Sequence, residues 1–306
     1  MLHTIPLASP GHGKHFYIGA LEPELCLLRR FLPLTGPEGI PLVVTADSSA
    51  ENLCWLRAAY PAALISQIAP APLRAEFGQR FGEELSDAAV YDLARTAPSL
   101  SARTVLTRSQ ALILAGVASA TLCAFSVQPT LTCGTLVGLL SLGFVSGTLF
   151  RGLLAWFGSA ERQPPATPVG RDASLPVYTI LVPMYGEANV LPRLIRSLLL
   201  LDYPQDLLDI KLIVEADDFE TAEMADAMVE RGPFEVIRVP PGTPRTKPRA
   251  CNYAFKFARG EFTVIYDAED RPERDQLRKA VAMFRTGSRD IACLQARLSF
   301  YNAKTR

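Results

Sequence analysis

Asp267, Glu269 and Asp270 follow directly on an apolar run in the stretch FTVIYDAEDRPERDQL, residues 262–277. Burying an unpaired carboxylate is costly, so a strand that ends in three of them needs a partner for their charge. Mg2+ or Mn2+ suits the position, because such a cation takes a few protein oxygens and keeps its other sites for water and phosphate. In a strand running into a turn, Asp267 and Glu269 point to the same side, so one cation could meet both. Asp270 is better suited to orienting the loop or capping a helix expected after Pro272. Two further acidic groups stand at the ends of apolar runs, YGE at 185–187 and EADD at 215–218. Helix capping alone accounts poorly for three such ends. The basic cluster RTKPR, 245–249, is either the counter-charge for something anionic or a solvated loop.

These groups need elements to hold them, and the pattern supplies alternating ones. Apolar strands are expected at 178–184, 210–216, 234–239, 261–266 and in IACLQARLSF, 291–300. Amphipathic helices are expected near 188–201, 220–231, 248–259 and 273–286, the first with Leu191, Leu194, Ile195 and Leu198 on one face. Such alternation predicts a mainly parallel sheet with helices on both faces. Ligands of open parallel sheets bind outside the carboxyl ends of the strands, where the strand order switches. The acidic groups stand at those ends.

The ordered set TILVPMYGEANVLPRLIRSLL, IVEADDFETAEM, TKPRACNYAF and GEFTVIYDAEDRPERDQLRKAV resembles the donor-site motifs of the family-2 glycosyltransferases, the GT-A fold group that includes cellulose and hyaluronan synthases. The resemblance covers residues 176 to about 303. It implies that Pro183, Tyr185 and Glu187 shape a nucleoside pocket and that Asp217 holds the base with Asp218 beside it. It implies that Lys247 meets the diphosphate, with Asn252 further along the same helix, and that Asp267 and Glu269 form the metal-binding D-x-D pair. The chain departs from the family pattern in having Gly186 where asparagine is usual and a glutamate in the third D-x-D position. The catalytic aspartate and the Q-x-x-R-W acceptor motif of the family lie downstream of the D-x-D and have no counterpart up to Arg306. The general base is therefore expected beyond Arg306, and the 306 residues are expected to be a fragment of a longer enzyme.

Between Ser109 and Phe150 there is no charged residue, and QPT at 128–130 is the one interruption in apolar character. A membrane-spanning helix needs about 20 residues, so a transmembrane helical hairpin is expected over 109–157. Arg103 and Arg108 precede it while Arg151, Arg162 and Arg171 follow it, which places both flanks in the cytoplasm. This divides the chain into a small α+β N-terminal domain at 1–105, the hairpin, a Pro- and Ala-rich linker at 158–176, and the nucleotide-sugar-binding half of a GT-A domain at 177–306. In the N-terminal domain PLVVT forms a short strand, while LRAEFGQRFGEEL and SDAAVYDLARTAP form helices, the second with Ser86 as N-cap. ASPGHGKH is not a phosphate loop, since Ala8 replaces its first glycine and His15 its hydroxyl residue. His3, His12 and His15 lack metal-ligand spacing.

Composition excludes other classes. With 31 basic and 31 acidic residues the net charge is zero, which gives no footprint for nucleic acid. The six cysteines have no CxxC spacing, as expected of a reducing compartment. The expectation is an inverting, metal-dependent transferase of the inner (cytoplasmic) membrane. It would move sugar from a nucleotide-diphosphate sugar to a glycan or lipid-linked acceptor, in exopolysaccharide synthesis. The alternatives are a non-catalytic membrane-anchored nucleotide-sugar-binding or regulatory protein, and a nucleotidyltransferase, though the first strand is followed by only one glycine.

Overall fold

The computed structural model describes residues 23–36, 39–158, 175–229 and 232–296. His3, His12, His15, Arg162, Arg171, most of the linker and the tail of the last expected strand lie outside the described residues. The chain forms two compact units, one from the segments up to Asp92 and from Pro168 onward, the other from Leu93–Thr167.

In the first unit the N-terminal segment comprises α1 (Pro23–Leu28), β1 (Phe31–Thr35), β2 (Pro41–Thr45), α2 (Ala50–Ala59), β3 (Leu64–Gln67) and α3 (Pro70–Thr96). Its sheet has the order β1-β2-β3, antiparallel then parallel, over a core of Phe31, Leu32, Val43, Leu56 and Phe77. The two helices expected from the sequence are one continuous α3, and Ser86 lies inside it instead of capping it.

The remaining strands are β4 (Tyr178–Met184), β5 (Leu208–Glu215), β6 (Phe234–Val239) and β7 (Phe262–Ile265), all parallel, in the order β6-β5-β4-β7. Every residue of β4 and β5 is buried, the charged Asp209, Lys211 and Glu215 of β5 included, as a parallel sheet covered on both faces requires. Ile180, Val182, Leu212 and Val214 face α6 (Leu191–Leu199), α7 (Phe219–Val229) and α9 (Gln276–Thr286). Leu181, Ile213, Ile237 and Val239 face α8 (Lys247–Phe255) and, from the N-terminal segment, Leu85 and Ala89 of α3. The helices thus cover both faces, but α3 supplies part of the second layer. Gly260 admits β7 beside β4, since a Cβ there would lie 2.4 Å from the Thr179 nitrogen. Residues 291–296 carry no strand, contrary to the expectation for IACLQARLSF.

The second unit holds α4 (Arg108–Val127) and α5 (Pro129–Gly158), separated by Gln128 alone. Thr107 and Gln110 close a capping box at the start of α4. Both helices are long and apolar enough to cross a membrane by length and composition, with mean hydropathies of 1.8 and 1.7. Several of their hydroxyls are satisfied internally: Ser119, Thr121, Ser126, Thr135 and Thr148 each donate to the carbonyl four residues back.

Candidate functional site

The strand order reverses at β4, which leads to β5 and β6 on one side and to β7 on the other. The β4–β7 ladder ends at the pair Leu181–Ile265, closed by the bond from Tyr266 N–H to the Leu181 carbonyl. Beyond it the two strands part. Pro183, two residues past Leu181, lies on the side that no longer needs an N–H, which is how a central strand tolerates proline. The opening is the crevice expected at a topological switch point.

Three strand ends and one helix start converge around this crevice. Tyr185, Gly186 and Glu187 follow β4, Asp217 and Asp218 follow β5, and Asp267 and Glu269 follow β7. Lys247 is the first residue of α8, where the positive end of the helix dipole adds to its charge. Its ammonium pairs with the Asp267 carboxylate. Glu187 stands close enough to Lys247, Asp267 and Glu269 to sense all of them. Burial pushes its carboxyl up, and Asp267 and Glu269 add to that against the opposing Lys247. Three carboxylates around one ammonium leave negative charge uncompensated, and the ammonium already stands in for a cation at Asp267. Carboxylate oxygens are the donor type that a hard divalent cation takes while keeping water or phosphate in its remaining positions. Among the described residues no group of three His, Cys, Asp or Glu converges as a complete ligand set.

The side of the crevice formed by the loops after β4 and β5 is held by backbone hydrogen bonds. Gly186 has φ +66°, and its N–H donates to Asp218 Oδ2 at 2.6 Å. Asp218 Oδ1 accepts from Thr221 N–H at 3.2 Å, and the buried Thr221 hydroxyl accepts from Glu187 N–H at 3.1 Å. Burial would raise the Asp218 carboxyl, but the bonds from Gly186 and Thr221 prevail and hold it below its ordinary range. Asp218 thus ties the β4 loop to the β5 loop. Asp217 points outward and accepts from Arg245 Nη2 at 2.5 Å. The Arg245 guanidinium lies 5.2 Å over the Tyr185 ring and donates from Nη1 to its hydroxyl at 3.0 Å. Asp270 Oδ2 accepts from Asp267 N–H at 2.8 Å, so it braces the turn, while α9 starts only after Asp275.

Asn252 lies elsewhere. Its Nδ2 donates to the Ala89 carbonyl of α3 at 2.9 Å. Three contributors could not be picked out from the sequence. Arg245 is visible there only as part of a basic cluster, and Thr221 carries no signal beyond its place in the first turn of α7. The third, Arg249, is buried behind the crevice. Its Nη1 reaches Glu215 Oε2 at 3.3 Å, and its Nη2 bonds the Ser86 hydroxyl at 2.8 Å and the Pro240 carbonyl. Arg249 pins the ends of β5 and β6 to α3.

The family model for glycosyl transferase family 2 matches residues 179–306. The probable glycosyltransferase YdaM of Bacillus subtilis is 28% identical over 102 residues, 33% of this chain and 24% of that protein. The beta-monoglucosyldiacylglycerol synthase of Trichormus variabilis is 27% identical over 134 residues, 44% of this chain and 28% of that protein. The chain thus spans about a quarter of the length of these curated relatives. A solved mannosyltransferase of Pyrobaculum calidifontis, in complex with GDP-Man and Mn2+, is 27% identical with a TM-score of 0.37, over 48% of this chain and 42% of that one. The strand-end residues of the crevice all fall inside the matched segment, so they belong to a glycosyl transferase family 2 domain over residues 179–306.

Proposed function

We propose that the protein is a membrane-bound, inverting glycosyltransferase that takes its sugar from a nucleotide-diphosphate sugar and delivers it to a glycan or lipid-linked acceptor. One observation carries this reading: Tyr185, Glu187, Asp217, Lys247, Asp267 and Glu269, drawn from four separate segments, meet at the switch point of a parallel sheet. Tyr185 offers an exposed ring for the base, and Asp217 an acceptor for its N–H groups once Arg245 turns away. Lys247 then exchanges the Asp267 carboxylate for the diphosphate, where a charge-assisted contact contributes about 1.5–3 kcal/mol. Asp267 and Glu269 hold Mg2+ or Mn2+, which when bound supplies neutralisation of charge on the leaving diphosphate. Membrane attachment through α4 and α5 suits a lipid-borne acceptor, and the name of the Trichormus relative supports that acceptor class. Exopolysaccharide synthesis is the setting proposed for this activity.

The test follows nucleoside diphosphate release from radiolabelled UDP- and GDP-sugars by the chain in membranes, with Mn2+ and with chelator. Release that needs the metal and falls at least tenfold in Lys247→Ala is expected. Equal release with chelator, or by Lys247→Ala, would overturn the assignment.

A further inference from the structure

A second charged cluster lies at the opposite ends of the same strands. Asp209 and Lys211 stand on one face of β5, and Glu235 of β6 is the register partner of Lys211. The buried Lys211 ammonium lies 2.8 Å from Asp209 Oδ1 and 2.5 Å from Glu235 Oε2. Arg259, between α8 and β7, donates from Nε to Asp209 Oδ1 at 2.7 Å. Arg74, in the first turns of α3, pairs through Nε with Glu235. Both carboxylates are thereby committed. The terminal Nη groups of Arg74 and Arg259 make no hydrogen bond among the described residues.

Arg30 is added to this set without a partner of its own. Its backbone has φ +50°, a left-handed conformation that a long side chain seldom adopts, and its carbonyl accepts from Ala46 N–H at 2.9 Å and the Thr45 hydroxyl at 3.0 Å. These bonds fix the direction in which the side chain leaves. The half-buried guanidinium forms no hydrogen bond or ion pair among the described residues, yet it senses Arg259, Asp209, Asp47 and Glu235. Burial, then Arg259, pulls the Arg30 guanidinium below its ordinary value. Burial does the same to Arg74, with Arg259 and Arg30 adding to it. Arg30, Arg74, Lys211 and Arg259 face Asp209 and Glu235, with Asp47 further off, so positive charge is left over. The idle donors of Arg30, Arg74 and Arg259, around two carboxylates already committed, are what a bound anion would satisfy.

We infer that Arg30, Arg74 and Arg259 form a second ligand site, between the N-terminal segment and the sheet, which takes a phosphate-bearing anion. Guanidinium forks match phosphate oxygens bidentately, and three of them suit a phosphate monoester or diester better than a single carboxylate. The site lies at the amino ends of the strands and the donor crevice at their carboxyl ends, so the two fill independently. A ligand here would bind Arg30 and Arg74 of the N-terminal segment together with Arg259 of the transferase segment. The phosphate could come from a soluble molecule or from a lipid headgroup.

The experiment uses the full chain in phosphatidylcholine nanodiscs, without divalent cations, with inorganic phosphate as probe against chloride at equal ionic strength. Ligand that binds only the folded state raises the melting temperature, by roughly 2–4 °C at ten times its Kd. That rise is expected for the wild type and for Lys247→Ala, to be lost in Arg30→Ala and partly kept in Arg30→Lys. In discs containing phosphatidylglycerol, a headgroup ligand predicts that the wild type already shows the rise and that added phosphate does nothing more. A soluble ligand predicts the same response as in neutral discs. Equal rises in wild type and Arg30→Ala would overturn the proposal, as would no rise from phosphate or headgroup. Loss of the rise in Lys247→Ala alone would assign the phosphate to the donor crevice instead.

Discussion

Gly186 illustrates how one backbone dihedral joins two strand ends. At φ +66° it presents its N–H to Asp218, and a Cβ there would meet no atom within 4 Å. The requirement is conformational and not steric, so asparagine, which also tolerates the left-handed region, fits as well. Gly186→Asn should keep nucleoside diphosphate affinity within about threefold, whereas Gly186→Val should cost about 1–2 kcal/mol in backbone strain and weaken binding about tenfold. Calorimetric titration separates the two, and equal losses would show that side-chain bulk decides. The Asp218 carboxyl gives a pH test with a fixed sign. Its folded value lies below the unfolded one, so its contribution is complete above about pH 4 and is lost as pH falls through the lower folded value. Asp218→Asn should therefore lower stability at neutral pH and flatten its decline in acid; an unchanged acid limb would contradict the bonding seen here. The positions of the carboxylates were legible because an apolar run that stops at a charged group marks both the strand and the end that faces solvent, whereas Lys247 stood out only through the resemblance of TKPRACNYAF. Asn252 reads differently in three dimensions because five residues carry it about 140° around α8 from Lys247, which turns it toward Ala89.

Among the elements, α3 was the least legible. Ser86 followed by Asp87 has the composition of a helix start, yet the helix runs unbroken from Pro70 to Thr96 because its apolar residues are needed on both sides of that point. Phe77 packs in the N-terminal core, while Leu85 and Ala89 pack on the sheet. The partner that makes sense of Ser86 is Arg249, 163 residues away, a distance at which no local pattern operates. The four parallel strands β4 to β7, in contrast, were readable to within two residues, whereas the strand expected in IACLQARLSF is absent from residues 291–296. Arg249→Ala leaves Glu215 buried without its cation and should cost about 3–5 kcal/mol, measured by denaturant unfolding in detergent. Arg249→Met combined with Glu215→Leu should recover most of that, while Ser86→Ala should cost only about 1 kcal/mol. If the double substitution is as damaging as the single one, the pair is not what holds α3 to the strand ends.

Over the whole molecule, two apolar helices interrupt the unit that carries the crevice. If α4 and α5 cross the bilayer as a pair, reporters fused at residues 60 and 290 should both report cytoplasm, and a tag at Gln128 should be labelled from outside. Opposite locations for the two reporters would exclude the pairing. The central claim is that the crevice is a donor site built on Asp267, Glu269 and Lys247. It is tested most directly by calorimetric titration of UDP and GDP into the full chain in nanodiscs, with Mn2+ and with chelator. Binding of one nucleotide that requires the metal is expected, weakened tenfold to a hundredfold by Asp267→Ala, in keeping with a charge-assisted contact of about 1.5–3 kcal/mol. Asp270→Asn, which touches only the turn, should cost far less. Binding that is indifferent to the metal, or equal losses in the two variants, would contradict the assignment.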